Sequence, residues 1–212
     1  MIVYGSSLSP FVRKTLAFAA EKGVEVENRP VAPPHGSDEF REASPFGKMP
    51  AFRDGDFTVP DSSAIIHYLD GMKPDPELIP RDLQARARTI WFEEFADTIF
   101  CAAATPIFFN RVVAPRFQGR DGDLAAAEKA EKEQLPPVFD YIERSLPDSL
   151  HLIGDRLTLA DIAVASPFAN LRHLGIAVDP ARYPRTAAFA EQMLARPSFR
   201  SWVEQEARML AG

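Results

Sequence analysis

The stretch Met1-Ile2-Val3-Tyr4-Gly5-Ser6-Ser7-Leu8-Ser9-Pro10-Phe11-Val12-Arg13 decides how the chain starts to fold. Residues 1–4 are apolar enough to read as a short buried strand. Gly5 to Leu8 then form a loop. Ser9-Pro10 is a helix start. Serine favours the cap position, and proline suits the first helical residue, where its missing N–H costs nothing. Val12, Leu16 and Ala19 follow at helical spacing, with Arg13, Lys14 and Glu21 on other faces. Gly23 ends the helix, and Val24 to Glu27 alternates like a partly solvated strand. A β-α-β unit of this length favours a parallel strand pair.

Working outward, Pro30 to Ser44 is polar and proline-rich, with room for a short helix at Ser37 to Ala43. Pro45-Phe46-Gly47-Lys48-Met49-Pro50 is a turn-rich loop. Ala51 to Arg53 and Phe57 to Val59 flank Asp54-Gly55-Asp56, a hairpin signal. A third helix runs from Ser62 to Leu69, with Ala64, Ile65, Tyr68 and Leu69 as its apolar face. The order β-α-β, short helix, β-β, α is the thioredoxin pattern, and other small mixed sheets share it. Gly71 to Pro80 reads as a linker. Beyond it the pattern is helical. Leu83, Ala87, Ile90, Trp91, Glu94, Phe95 and Thr98 recur at helical spacing, and Pro106 is expected to end or kink that helix. Another helix begins near Asp123, with Pro136-Pro137 kinking or restarting it. Further helices are expected at Leu159 to Leu171, Pro184 to Ala195 and Ser198 to Leu210. The expected fold is an α/β thioredoxin-like N-terminal domain (1–75), a linker (76–83) and an all-α C-terminal domain (84–212).

Composition narrows the function. The net charge is −6 and the arginines are scattered, which argues against nucleic acid and anionic membranes as partners. Cys101 is the single cysteine, so neither an internal disulfide nor a thiolate metal cluster can form. It lies in an apolar run and reads as a small buried hydrophobe. His67, His151 and His173 lack metal-ligand spacing, so no metal is expected. The N-terminus lacks a signal peptide's basic and long apolar regions, and no apolar run approaches the ~20 residues that span a membrane. A soluble cytoplasmic protein is expected.

Four motifs carry a family resemblance: Ser9-Pro10-Phe11-Val12-Arg13, Gly47-Lys48-Met49-Pro50, Pro60-Asp61-Ser62-Ser63-Ala64-Ile65, and Gly154-Asp155-Arg156-Leu157-Thr158-Leu159-Ala160-Asp161. In this order and spacing the chain resembles a glutathione S-transferase over nearly its whole length. Its beginning is most similar to the serine-type and cysteine-type branches.

The resemblance implies glutathione as co-substrate and Ser9 as the catalytic residue. The Ser9 hydroxyl would donate to the glutathione sulfur. A thiol of pKa ~8.5 is only slightly ionised at neutral pH, and a hydroxyl donor at a helix N-terminus favours the thiolate. Ser9 as a plain helix cap, or Ser6 or Ser7 as the donor, remain alternatives. Tyr4 lies too early and fills a strand position. By the same resemblance Met49 offers its backbone to the cysteinyl part of glutathione beside a cis Pro50. Asp61 and Ser62 hold the γ-glutamyl end, or simply cap a helix. Lys48, and with less support His35, would meet the glycyl carboxylate. Arg13 would support the site by electrostatics or by binding local backbone. Thr158 and Asp161 resemble a structural capping box. Trp91, Phe108, Phe109 and Phe117 are candidate walls for a small hydrophobic electrophile.

The expected activity is transfer of glutathione to that electrophile. Isomerisation, dehalogenation or peroxide reduction would use the same thiolate, and a non-catalytic ligand-binding protein is the rival of a different class. The Pro33-Pro34-His35 stretch leaves room for an altered thiol. The resemblance also implies a homodimer, contacting through Phe52 to Tyr68 and Gln84 to Ile99.

Overall fold

The computed structural model describes residues 1–31 and 36–211, so the readings placed on Pro33-Pro34-His35 lie outside the described residues. The elements in chain order are β1 (Ile2–Tyr4), α1 (Pro10–Lys22), β2 (Glu27–Arg29), α2 (Asp38–Ala43), β3 (Ala51–Asp54), β4 (Phe57–Pro60), α3 (Ser62–Met72), α4 (Leu83–Glu94), α5 (Cys101–Phe108), α6 (Leu124–Lys129), α7 (Leu135–Ser145), α8 (Leu159–His173), α9 (Pro184–Leu194) and α10 (Pro197–Ala211). They form two compact units, residues 1–79 with 196–212, and residues 80–195. The closing helix α10, which pattern alone groups with the helical domain, packs in the first unit against α1.

The first unit is the expected thioredoxin-like domain. Its sheet has the order β2-β1-β3-β4, with β1 and β2 parallel and the other pairs antiparallel. Ser9 caps α1 by position, Pro10 opens it, and Gly23 closes it at φ 62°. That left-handed closure explains one departure from expectation. The N–H of Val24 folds back onto Ala19 O at 2.8 Å, so Val24 completes the helix end instead of starting a strand. Strand pairing begins only where Glu27 N reaches Met1 O at 3.0 Å. The second strand is therefore Glu27–Arg29 and not Val24 to Glu27.

Val12, Leu16 and Ala19 are buried as the spacing predicts. Tyr4 is buried too, with Phe40, Ala43 and Ala51 around it. Its hydroxyl donates to Glu39 Oε2 at 3.3 Å. Lys22 is buried at the end of α1. Its ammonium reaches Asp70 Oδ1 at 2.6 Å and the carbonyls of Pro74 and Pro76 at 3.0 and 2.6 Å, tying α1 to the segment after α3.

The second unit is all-helical. Leu83–Phe117 is one helical run of 35 residues. It passes from α4 through π-helical turns at Phe95–Phe100, then through α5 and a second π-helical stretch, Phe109–Phe117. Pro106 lies inside α5 and does not end the helix. Proline removes one backbone hydrogen bond. Ala103, Ala104, Ile107 and Phe108 around it are buried, and that burial outweighs the loss. By length and composition this run can cross a membrane, against the expectation that no run approaches that size. Nearly half of its most apolar window, 44 %, is covered inside the fold. The second proline site behaves as expected. π-helical turns at Ala130–Gln134 precede α7, and Pro136-Pro137 sit in its first turn. Cys101 is buried.

Helix α8 is buried along most of its length and begins at the predicted capping box. Asp161, fully buried, accepts from Leu152 N at 2.7 Å, Thr158 N at 2.8 Å and Thr158 Oγ1 at 3.1 Å. One carboxylate thus satisfies two interior amides and fixes the loop before the helix. Asp161→Ala leaves both amides without an acceptor, and a buried unsatisfied donor costs roughly 1–3 kcal/mol. Chemical denaturation should show a loss of about 3 kcal/mol. A loss within the scatter of ordinary surface substitutions would contradict this role.

Candidate active site

The strand register gathers the predicted residues. Tyr4 at the end of β1 stands opposite Arg29 on one side and Ala51 at the start of β3 on the other. Ala51 in turn stands opposite Pro60 at the end of β4. Three connections therefore leave the sheet from one row: Gly5 to Ser9, Lys48 to Pro50, and Asp61 to Ser62. Residues far apart in sequence meet because the strands align their ends.

Two contacts close this cluster. Gly5 has φ 138°, and a Cβ placed on it would come within 2.6 Å of Val12 Cγ2 and 3.2 Å of Met49 Cβ. Only glycine fits there, so the first loop lies directly against Met49. Across the row, Asp61 N donates to Pro50 O at 3.1 Å. The Met49–Pro50 peptide bond is cis, as expected. The Lys48 carbonyl accepts from Ser44 Oγ at 2.7 Å, which anchors the loop from below, and the Lys48 side chain is exposed.

The three serines of the first loop now differ. Ser6 accepts from Leu8 N through its hydroxyl at 3.4 Å, and its carbonyl accepts from Ser9 N at 3.0 Å. Ser7 is buried. Ser9 is partly exposed at the start of α1, and its side chain makes no capping hydrogen bond. Ser9 thus occupies the cap position without using its hydroxyl as the cap. A hydroxyl at a helix N-terminus, not occupied by that helix, is available to a ligand. The first amides of α1 lack intrahelical acceptors, and the helix dipole adds partial positive charge there.

Asp61 does cap. Its Oδ1 accepts from Ser63 N at 2.9 Å and Ala64 N at 3.2 Å, and its φ is 81°. Ser62, buried, is the first residue of α3. The side chain of Asp61 remains exposed, so capping and ligand contact are compatible.

Arg13 is fully buried and bound to Glu206 of α10. Its Nε lies 3.0 and 3.2 Å from the two carboxylate oxygens, and a terminal nitrogen lies 2.7 Å from Oε2. Glu206 was missed from the sequence. It is 193 residues away, and no local pattern links the two. Of the four aromatic wall candidates, Phe108 is buried in the core, while Trp91 and Phe117 are 46 % and 44 % exposed. Trp91 joins Phe95, Ile99, Pro137, Val138 and Tyr141 around a cavity of about 530 Å³ within the helical unit. The Phe109 ring lies under the Arg120 guanidinium, 5.2 Å from its centroid. Among the described residues, no three His, Cys, Asp or Glu side chains are placed to hold a metal ion.

Comparison with known proteins gives one direction. Residues 3–77 match the glutathione S-transferase N-terminal domain, and residues 108–206 match the C-terminal domain. The chain is 32 % identical over 210 residues to a glutathione S-transferase of Hyoscyamus muticus, covering 96 % of this chain and 98 % of that protein. Glutathione transferase F7 of Populus trichocarpa superposes with a TM-score of 0.84 at 27 % identity, over 96 % of this chain and 97 % of that one. Glutathione S-transferase I from maize, solved with an atrazine glutathione conjugate, superposes with a TM-score of 0.83 at 27 % identity over 96 % of each chain.

The Asp61 cap has a direct consequence. Asparagine keeps a side-chain oxygen for the Ser63 and Ala64 amides, so Asp61→Asn should unfold within about 0.5 kcal/mol of the parent. Alanine has no acceptor, and Asp61→Ala should lose about 1 kcal/mol. Equal losses in denaturant titrations of the two variants would contradict the capping geometry.

Proposed function

The chain belongs to the glutathione S-transferase family and conjugates glutathione to electrophiles; on that premise we propose that it is a serine-type member in which the Ser9 hydroxyl holds the glutathione sulfur as a thiolate. One observation carries this reading. Ser9 stands at the N-terminus of α1 with its hydroxyl unused for capping, in the same row of loops as Met49, Pro50, Asp61 and Ser62. The hydroxyl donates to the sulfur, the helix end favours the negative charge, and the thiolate attacks the electrophilic carbon. The leaving group departs with the electron pair displaced from that carbon.

The other contacts follow from the same row. The cysteinyl backbone of glutathione pairs with the Met49 main chain like an added strand. The γ-glutamyl carboxylate meets Ser62 at the start of α3, and its amino group meets the exposed Asp61 carboxylate. Lys48 attracts the glycyl carboxylate. The helical unit takes the hydrophobic electrophile, with Phe109 and Phe117 as wall residues. Their partial exposure supports this, whereas Phe108 is spent on the core. A bound conjugate whose apolar group touched only residues 1–79 would contradict it. The cytoplasm is the proposed location, because the lone buried Cys101 gains nothing from an oxidising compartment. Recovery in an extracellular or membrane fraction would contradict that.

Ser9→Ala should lower kcat by roughly 10²-fold or more, the range for a lost donor to a developing or held anion. Glutathione affinity should change little, because the hydroxyl acts on the sulfur and not on the ends of the peptide. Thiolate absorbance of the bound glutathione should fall in parallel. An unchanged thiolate population and unchanged rate would move the role to Ser6 or Ser7.

A homodimer is the proposed assembly, the commonest closed form for a chain of this kind. Its support is exposed apolar surface in the two ranges expected to meet a partner. Phe57 is 46 % exposed, and Trp91 and Ile99 are 46 % and 43 % exposed. Sedimentation equilibrium at micromolar concentration should give twice the chain mass of 23.5 kDa, and a single species at the chain mass would contradict the assembly.

A further inference from the structure

We infer that Glu206, on the C-terminal helix α10, is a positioning residue for thiol activation: by gripping Arg13 it fixes the turn of α1 that carries the Ser9 hydroxyl. The inference rests on the Ser9 reading and adds a residue to it.

The connection is short. Arg13 lies one turn beyond Ser9 on the same face of α1. Its backbone N–H donates to Ser9 O at 3.0 Å, the first intrahelical hydrogen bond of α1. Whatever holds Arg13 therefore holds Ser9. The Arg13 side chain cannot drift into solvent, because it and Glu206 are both 0 % exposed. The contact from Nε and a terminal nitrogen to both carboxylate oxygens fixes direction as well as distance.

Helix α10 grips α1 a second time, with the charges reversed. Glu21, near the other end of α1, accepts from Arg196 Nε at 2.8 Å and a terminal Arg196 nitrogen at 2.9 Å, and from Ser198 Oγ at 2.5 Å. Burial pushes the Glu21 carboxyl up, but the hydrogen bonds from Arg196 and Ser198 and the Arg196 charge outweigh it, so the group sits below the usual carboxylate range. Residues 13 and 21 of α1 thus meet residue 206 of α10 and residue 196 just before it, in antiparallel order. Cation faces anion at one end and anion faces cation at the other. Sliding α10 along α1 would break both pairs, so the two contacts fix register.

Stability alone does not explain the choice. A buried ion pair seldom stabilises more than apolar side chains of the same volume, because both charges lose their hydration. What the pair adds over apolar packing is a fixed direction at the residue that bonds Ser9.

The test is a double-mutant cycle of Arg13→Met, Glu206→Leu and both together, with Ser9→Ala as reference. Glu206→Leu alone removes the carboxylate from a buried arginine and can unfold the chain. The double variant removes both charges and is expected to fold. Three quantities are read: kcat, KM for glutathione, and the thiolate fraction of bound glutathione from its ultraviolet absorbance. In every folded variant the inference expects kcat to fall by about ten- to a hundredfold, with KM little changed and a reduced thiolate fraction. In the Arg13→Met background, Glu206→Leu should add nothing to the loss, because Glu206 acts through Arg13. Folded variants with the parental thiolate fraction and kcat would overturn the inference. A double variant that cannot fold would also overturn it, by assigning the pair to the fold alone. If Ser9→Ala itself leaves the thiolate unchanged, the Ser9 reading fails first. If Ser9→Ala acts and the Glu206 variants do not, only the present inference fails.

Discussion

Everything at this site answers to one constraint: a thiol must be held as its anion at a pH where free thiol is mostly protonated. An isolated charge would need water, but a nucleophile buried in water is a poor one. On the proposed reading, the answer is a donor and a helix end pointed at the same place. That demands a serine at the start of α1 whose hydroxyl is not consumed by its own helix. In this chain it is not consumed. Pro10, which has no N–H to satisfy, opens the helix behind it.

Around that turn, each element has a positional duty. Gly5 lets the first loop close onto Met49 where any side chain would collide. The row Tyr4, Ala51 and Pro60 brings three loops to one end of the sheet. Asp61 caps the start of α3 with its side chain in water, which leaves the same carboxylate open to the proposed ligand contact. At its far end α1 is tied by Lys22 to the segment after α3, and along its length by Arg13 and Glu21 to α10. On the proposed reading, the helix that Ser9 precedes is thus held at three places, each through a charged side chain that is buried or nearly so. Rigid support of this kind is what keeps a hydrogen-bond donor within the narrow geometry that anion stabilisation needs.

Much of this was legible in the sequence because it is written in local rules. Ser9-Pro10 and Gly23 bound α1, Asp54-Gly55-Asp56 marks the hairpin, and Thr158 with Asp161 marks the start of α8. The errors arose where non-local terms decide. Val24 looks like a strand residue, but its amide is claimed by the end of α1. Pro106 reads as a helix end or a kink, and of the two the end does not occur: its neighbours are buried, and the helix continues into π-helical turns. The assignment of α10 to the first unit, and with it the Arg13–Glu206 pair, has no local signature. Charged residues of a terminal helix read as solvated until the fold shows which of them face inward. The site residues were named by resemblance and spacing, and the sequence alone offers nothing to tell Ser6, Ser7 and Ser9 apart; their three hydroxyl environments are what favour Ser9 in the proposal.

The most direct measurement is a crystal structure with a glutathione S-conjugate bound. The account predicts the sulfur within hydrogen-bonding reach of Ser9 Oγ, the cysteinyl backbone paired with the main chain of Met49, and the γ-glutamyl end at Asp61 and Ser62. A sulfur placed against Ser6 or Ser7, or a peptide bound away from the Tyr4–Ala51–Pro60 row, would contradict it.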